Sequence, residues 1–354
     1  VKNIFMPLFK KLVVKEIKRE TKDAVSILFN VPEEFKFHYT FIAGQYVNLR
    51  LTLDGQEIRR AYSICSSPES GELRIAVKAV KSGKFSQFAN TKLKAGDVLE
   101  VGKPEGKFTF EAHADRQKNY AAFVAGSGIT PVISILKSVL KSEPQSSFVL
   151  VYGNKSSEET IFYQELQNLQ SKYTGRLLIH FVYSQAKTDG ALFGRIDKSA
   201  VNFVLNKNAA LEFDKFYLCG PEEMINTVSK VLKEHNIKDT AIKFELFSSS
   251  STEDKQVSSH EGHTKITIMV DDEETTFEMS QKQTILEAAL KQGVDAPYSC
   301  QGGICSSCLA RVKSGTAVMK KNSILTDSEI ADGLVLTCQS HPTSAEIKID
   351  YDDV

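Results

Sequence analysis

Three cysteines fall within nine residues of one another in the stretch "YSCQGGICSSC", Tyr298 to Cys308. Cys300, Cys305 and Cys308 are spaced C-x4-C-x2-C, and Cys338 stands apart in "LTCQSHP". A fold for this chain has to close one tight loop around three thiols and bring a fourth to it. A compact cluster of two irons needs such a set, three thiolates from a loop and one from a strand or turn across the domain. Gly302 and Gly303 let the loop wrap closely and turn its amides toward sulfur, which offsets the negative charge of thiolate and sulfide. Zinc prefers paired C-x2-C knuckles, and only one C-x2-C is present. Six cysteines in 354 residues are too few for a disulfide scaffold. Clustered cysteines in a cytosolic chain more often bind metal or carry out redox chemistry. The spacing therefore predicts a [2Fe–2S] centre on Cys300, Cys305, Cys308 and Cys338.

A chain of 354 residues is too long for one ordinary core, and two or three domains are expected. Lys and Arg number 44, as do Asp and Glu, but they are unevenly spread. Residues 264–354 hold eight basic and fourteen acidic side chains, a net of −6, leaving +6 on the remainder. That contrast suggests domains with different partners. The charge shifts at "SSSSTEDKQVSSHEGH", residues 248–263, which is polar, serine-rich and unable to bury a core, and which reads as a flexible linker. No apolar run is long enough to span a membrane, and "VKNIFMPLFKKLVVKEIKRE", with lysines scattered through it and no small-residue cleavage site, does not read as a secretory signal, though a processed chain could have lost one. The chain is expected to be cytoplasmic, without membrane or nucleic-acid partners.

Residues 1–112 alternate apolar and polar positions in short runs, such as "QYVNLRLTL" and "ELRIAVKAV", separated by turns. They read as antiparallel strands forming a barrel. From 113 to 247 the rhythm changes. Continuous apolar strands such as "YAAFVAG" and "SSFVLVYGN" alternate with helical patterns, which predicts a parallel sheet flanked by helices. Residues 264–354 open with the hairpin pattern "KITIMVDDEETTFEM" and end in the strand "AEIKIDY".

Further motifs lie in these regions. "RRAYSICSSP" holds Arg60, Ala61, Tyr62 and Ser63, and "VKAVKSGKFSQF" holds Val77, Lys78, Gly83 and Ser86. "FVAGSGITPVISIL" closes a strand with Gly126, Ser127 and Gly128, passes Thr130 and opens a helix at Pro131. Proline stands where the ordinary dinucleotide fingerprint has a third glycine. "YLCGPEEM" carries Cys219, Gly220 and Pro221 at another strand-to-helix junction, and "FELF" ends in Phe247.

Together these motifs resemble the ferredoxin–NADP reductase superfamily, and residues 264–354 resemble a plant-type ferredoxin domain of β-grasp fold. The resemblance implies a multidomain α+β and α/β chain. Its parts are a Greek-key flavin-binding β-barrel, a parallel-sheet NAD(P)-binding domain and the ferredoxin domain, in that order. It implies FAD held by Arg60 at the pyrophosphate, by Tyr62 beside the ring, by Ser63 near N5, and by Val77, Lys78, Gly83 and Ser86. It places the nicotinamide nucleotide against Gly126, Ser127, Gly128, Thr130, Pro131, Cys219, Gly220 and Pro221, with Phe247 as an aromatic near the flavin. Ser63, Thr130 and Cys219 are the expected catalytic residues; Cys219 shapes the hydride path and is not a covalent nucleophile. Gln185 in "FVYSQ" stands where the resemblance expects a cation after Ser184; with Arg195 and Lys187 to compensate and no acid at that strand end to favour a free ribose hydroxyl, the chain leans toward NADPH, with NADH next.

The order of domains matches reductase components of multicomponent oxygenases. A nicotinamide gives two electrons as hydride, a [2Fe–2S] cluster accepts one, and a flavin between them does both. The acceptor implied is an oxygenase component of di-iron type, docked through the acidic ferredoxin domain and its Asp350, Asp352, Asp353 tail. An acceptor of another kind (aromatic-ring hydroxylase, desaturase or steroid hydroxylase), a redox-sensing module without turnover and a zinc scaffold are the alternatives.

Overall fold

The computed structural model describes residues 9–247 and 262–354. Two compact units divide it, the first ending at Glu245 and the second starting at Leu246. The expected linker, 248–263, lies outside the described residues except for its last two, and His263 already opens a strand.

The first unit begins with six strands: β1 (Phe9–Thr21), β2 (Ala24–Asn30), β3 (Tyr46–Leu53), β4 (Gln56–Ser63), β5 (Leu73–Lys78) and β6 (Val98–Gly102). Their order is β4-β3-β6-β1-β2-β5, every pairing antiparallel. An Ile64–Ile75 bridge, with the Cys65 amide donating to the Arg74 carbonyl at 2.8 Å, closes the ring. This is the barrel that the alternation predicts, with the Greek-key order the resemblance implies. In β1, Leu12 and Val14 turn inward between exposed Lys11, Val13 and Lys15. Ile27, Leu49, Ile75 and Val101 meet them in the core. Helix α1 (Lys84–Thr91) follows β5.

A second sheet contains β7 (Asn119–Ala125), β8 (Ser147–Asn154), β9 (Leu177–Tyr183), β10 (Leu192–Phe193), β11 (Lys215–Gly220) and β12 (Ile242–Leu246). It runs β10-β9-β8-β7-β11-β12 and is parallel from β10 to β11. Both side-chain parities of β7 are buried, as expected of a parallel sheet covered on two faces. Tyr120, Ala122 and Val124 pack with α2 (Ile129–Ser142) and the start of α3 (Tyr163–Lys172). α4 (Lys198–Lys207) packs on α5 (Glu222–Glu234), which meets β11. Strand order reverses between β7 and β11, so their carboxyl ends open a crevice where ligands of such sheets bind.

The second unit holds β13 (His263–Val270), β14 (Glu273–Ser280), α6 (Ile285–Lys291), β15 (Leu309–Ser314), β16 (Ala317–Met319), α7 (Asp327–Ala331), β17 (Leu334–Leu336), β18 (Ser340–Pro342) and β19 (Glu346–Asp350). Five strands form one sheet, β14-β13-β19-β15-β17, with β13 and β19 parallel at its centre. The β13–β14 hairpin turns on Asp271 and Asp272, both at positive φ, the backbone that a two-residue hairpin loop requires.

Candidate active site

β4 ends at Ser63, which is buried. β11 ends at Cys219-Gly220, with Cys219 fully buried. Between them, from β12, comes Glu245. Its carboxyl is hydrogen-bonded to the Ser63 hydroxyl, and its charge acts on the Cys219 thiol. Burial, partly countered by the Ser63 hydrogen bond, pushes Glu245 up to about 8. Its Oε2 has no hydrogen-bond partner among the described residues. Burial first, then Glu245, raises the Cys219 thiol well above its usual range. Such a thiol stays protonated and makes a poor nucleophile. Glu245 was not singled out from sequence. Its only signal was one acid inside the apolar run "FELF", while its neighbours come from a barrel strand and another sheet strand.

On β4, Arg60 is exposed and donates to the Arg59 carbonyl at 2.7 Å. Arg59 points the other way, buried, paired with Glu57 at 2.9 Å. Ala61 and Tyr62 are half-buried. The Tyr62 ring lies 5.3 Å from Phe85 in the first turn of α1, and burial raises its phenol. The flavin strand and the α1 N-terminus are therefore neighbours. Val77 is buried in the barrel, and Lys78 is half-buried at the end of β5. Gly83 precedes α1, and a Cβ there would meet Ser86 Oγ at 2.4 Å. The Ser86 hydroxyl accepts from the Val80 amide and faces the Gly83 carbonyl, both at 3.2 Å. These bonds brace the loop at the start of α1. An exposed guanidinium, a half-buried ring and the unpaired first amides of a helix fit a flavin carrying a pyrophosphate.

After β7, Gly126–Gly128 form a single tight turn and α2 starts at Ile129, two residues before Pro131. Pro131 then sits in the first helical turn, where its missing N–H is no loss. Gly126 has φ +55° and open space, and its carbonyl accepts from the Tyr152 hydroxyl at 2.9 Å. Gly128 has a different constraint. A Cβ there would lie 2.1 Å from the Cys219 carbonyl oxygen, so the glycine serves the packing of two loops on each other. Ser127 is half-buried, and its carbonyl accepts from the buried Thr130 hydroxyl at 3.0 Å. Pro221 caps α5, and a Cβ on Gly220 would meet Met224 at 2.8 Å. At the outer edge Ser184 donates its amide to the Asn154 carbonyl at 3.0 Å. The Gly194 amide bonds the Tyr183 carbonyl at 2.8 Å, and Arg195, the next residue in the chain, is exposed. Lys187 lies over the Phe193 ring. Phe247 directly follows β12 and is 39% exposed.

In the second unit, the β15–β17 pairing of Leu309 with Leu336 sets Cys308 beside Cys338. Thr337 reinforces this by donating its amide and hydroxyl to the Cys308 carbonyl at 3.1 and 3.0 Å. The Tyr351 hydroxyl holds Thr337 at 2.8 Å. Cys300 and Cys305 sulfurs are 3.1 Å apart. The Cys305 and Cys338 thiols, followed by the Gly302 and Ile304 amides, hold the Cys300 thiol far below its usual range. Four thiols together with amides aimed at sulfur are the donor set of an iron–sulfur cluster. Among the described residues no set of His, Cys, Asp and Glu is arranged for a single metal ion. Gly303 has φ +71°, and its Cβ would meet the Lys321 carbonyl at 2.8 Å, whereas Gly302 has room. The acidic tail is engaged within its own domain. Asp353 pairs with Arg311 and Lys313, and Asp352 accepts the Asp271 and Asp272 amides.

Three family models match in the same order. An oxidoreductase FAD-binding domain matches residues 11–110, an oxidoreductase NAD-binding domain 123–230, and a 2Fe-2S iron-sulfur cluster binding domain 268–343. The chain is 38% identical to one of the subunits of the 1,2-phenylacetyl-CoA epoxidase of Escherichia coli, over 98% of this chain and 99% of that one. It is 32% identical to the ferredoxin reductase component of 3-ketosteroid-9-alpha-monooxygenase of Rhodococcus rhodochrous, over 96% of each. The structure of phthalate dioxygenase reductase has the same fold, with a TM-score of 0.60 at 24% identity, covering 97% of this chain and 98% of that one. Among the described residues no helix is long and apolar enough to cross a membrane.

Proposed function

The chain belongs to the oxygenase reductases in which a flavin and nicotinamide module of ferredoxin–NADP reductase type is joined to a plant-type [2Fe–2S] domain, and from that premise we propose that it serves a phenylacetyl-CoA epoxidase in phenylacetate breakdown. It is an NAD(P)H-dependent oxidoreductase with FAD and a [2Fe–2S] cluster, passing electrons to an oxygenase. The observation that carries the epoxidase reading is the 38% identity to the Escherichia coli protein along the full length of both chains. We take the acceptor to be a di-iron oxygenase component and the compartment to be the cytoplasm.

A bound flavin would supply the conversion between the two-electron hydride chemistry of a nicotinamide and the one-electron chemistry of a [2Fe–2S] cluster. Arg60 and the α1 N-terminus hold the flavin pyrophosphate, with Lys78, Gly83 and Ser86 shaping that loop beside Val77. Tyr62 and Ala61 would line the ring, and Phe247 is the candidate aromatic near the flavin. Ser63 would hold the flavin edge by its hydroxyl, and the protonated Glu245 behind it would keep that hydroxyl oriented without placing a full charge in a dry site. Gly126, Ser127, Gly128, Thr130, Pro131, Gly220 and Pro221 form the nucleotide cradle, and neutral Cys219 packs at the nicotinamide. Ser184 and Arg195 receive a 2′-phosphate, so NADPH is the proposed donor. Cys300, Cys305, Cys308 and Cys338 ligate the cluster.

A second reading, a steroid monooxygenase reductase, has the 32% full-length identity in its favour. Reconstitution separates the two. The chain should support NADPH-driven epoxidation with a phenylacetyl-CoA oxygenase component and not hydroxylation with a 3-ketosteroid component; the opposite pattern would overturn the assignment.

A further inference from the structure

β4 and α2 are tied together just behind the ends that carry Ser63 and the glycine loop. Beyond Ser63 the chain runs through Cys65 and Ser66 into the short turn Pro68–Ser70. α2 sets Ser134, Ser138 and Ser142 four residues apart, on one side of the helix. All three donate to that segment. The Ser134 hydroxyl bonds the Ser66 carbonyl at 2.6 Å. Ser138 bonds both Glu69 carboxylate oxygens, at 3.1 and 3.0 Å, and Ser142 bonds one of them at 3.2 Å. Lys137 reaches the Cys65 carbonyl at 3.2 Å, and Lys141 the Glu69 carbonyl at 2.9 Å.

Adhesion alone does not call for this chemistry. The rest of α2 is held by Val132, Ile133, Ile135, Leu136 and Val139, all fully buried. Ser134 and Ser138 are as deeply buried, and serine is a poorer helix former than alanine. Hydrogen bonds add distance and angle requirements to that packing and so fix the register of the helix against the segment. α2 also starts next to Gly128, which packs on the Cys219 carbonyl, so any shift of the helix carries both nucleotide loops with it.

We propose that Ser134 and the Glu69–Ser138 pair are positioning residues that set the distance between the flavin strand and the two nucleotide loops, and with it the hydride-transfer geometry. This rests on the reading that hydride passes at the Ser63, Thr130 and Cys219 seam. A misplacement of about 1 Å costs on the order of 100-fold in such a step.

The test uses the full chain loaded with both cofactors, as S134A, E69A and E69Q. Glu69 is exposed, so its variants should fold. Flavin content, melting temperature, NADP⁺ affinity and hydrogen exchange of residues 64–72 and 126–142 are measured beside the stopped-flow rate of flavin reduction by NADPH and its deuterium isotope effect. Expected are flavin content unchanged, faster exchange in both segments, and flavin reduction slowed roughly 10-fold or more in S134A and less in E69A. E69Q, which keeps an acceptor oxygen, should retain most of the rate. Full-rate flavin reduction in S134A and E69A, with only a lower melting temperature, would overturn the proposal. If the unmodified chain is not reduced by NADPH or NADH at all, the seat of hydride transfer is wrong and the proposal falls with it, an outcome separate from the first.

Discussion

The Ser63 hydroxyl is hydrogen-bonded to the buried carboxyl of Glu245 across the seam between the flavin barrel and the nucleotide sheet. Glu245 is raised to about 8, so in the folded chain it is protonated where an unfolded glutamate is ionised. The folded state then binds more protons from about pH 4.5 to about pH 8. The contribution of this one group to stability is full below that window and is lost as pH rises through it. Melting temperatures against pH should show this decline in the unmodified chain and a flatter profile in E245Q.

Gly128 and the Cys219 carbonyl leave no room for a side chain. G128A must move backbone and should cost about 1–3 kcal/mol, with nucleotide binding weakened. G126A has space and meets only the left-handed backbone penalty of about 1–2 kcal/mol. Denaturant melts and NADP⁺ titration of both variants should rank them in that order for nucleotide affinity.

Arg195, exposed just past the Leu192–Phe193 strand, is the cation proposed for a 2′-phosphate. R195A should lose roughly tenfold or more in kcat/KM for NADPH and little for NADH, the scale of one charge-assisted hydrogen bond. Steady-state kinetics with both nucleotides checks it; equal losses for the two would remove Arg195 from the phosphate.

Asp353 is held by Arg311 and Lys313, which pull its carboxyl below its usual range. Asp353 is still 47% exposed, so its charge still adds to the acidic face, and D353N should weaken the salt dependence of electron delivery to an oxygenase. An unchanged dependence would take Asp353 out of the docking surface.

How much was legible in the sequence follows from how local each feature is. The cysteine loop could be read because three donors lie in nine residues and the fourth in a short motif. The barrel and parallel sheet could be read because their periodicities differ. Glu245 could not, since its burial depends on β12 lying beside β11 and on Ser63 from the barrel. The packing of Gly128 on the Cys219 backbone is equally invisible in the sequence, because it joins two strand-to-helix loops far apart in the chain. The Ser86 hydroxyl and the Asp353 carboxylate have partners inside their own domains, and nothing in a linear motif distinguishes that from a waiting ligand or protein.

The relay itself is tested most directly by anaerobic stopped-flow spectroscopy of the unmodified chain and C338S with NADPH. In the unmodified chain the flavin bands should bleach first and the iron–sulfur bands after them. C338S should lose cluster iron and delivery to a one-electron protein acceptor while its flavin is still reduced at the normal rate. Undiminished delivery to that acceptor by cluster-free C338S, or cluster reduction ahead of the flavin, would contradict the order nicotinamide, flavin, cluster.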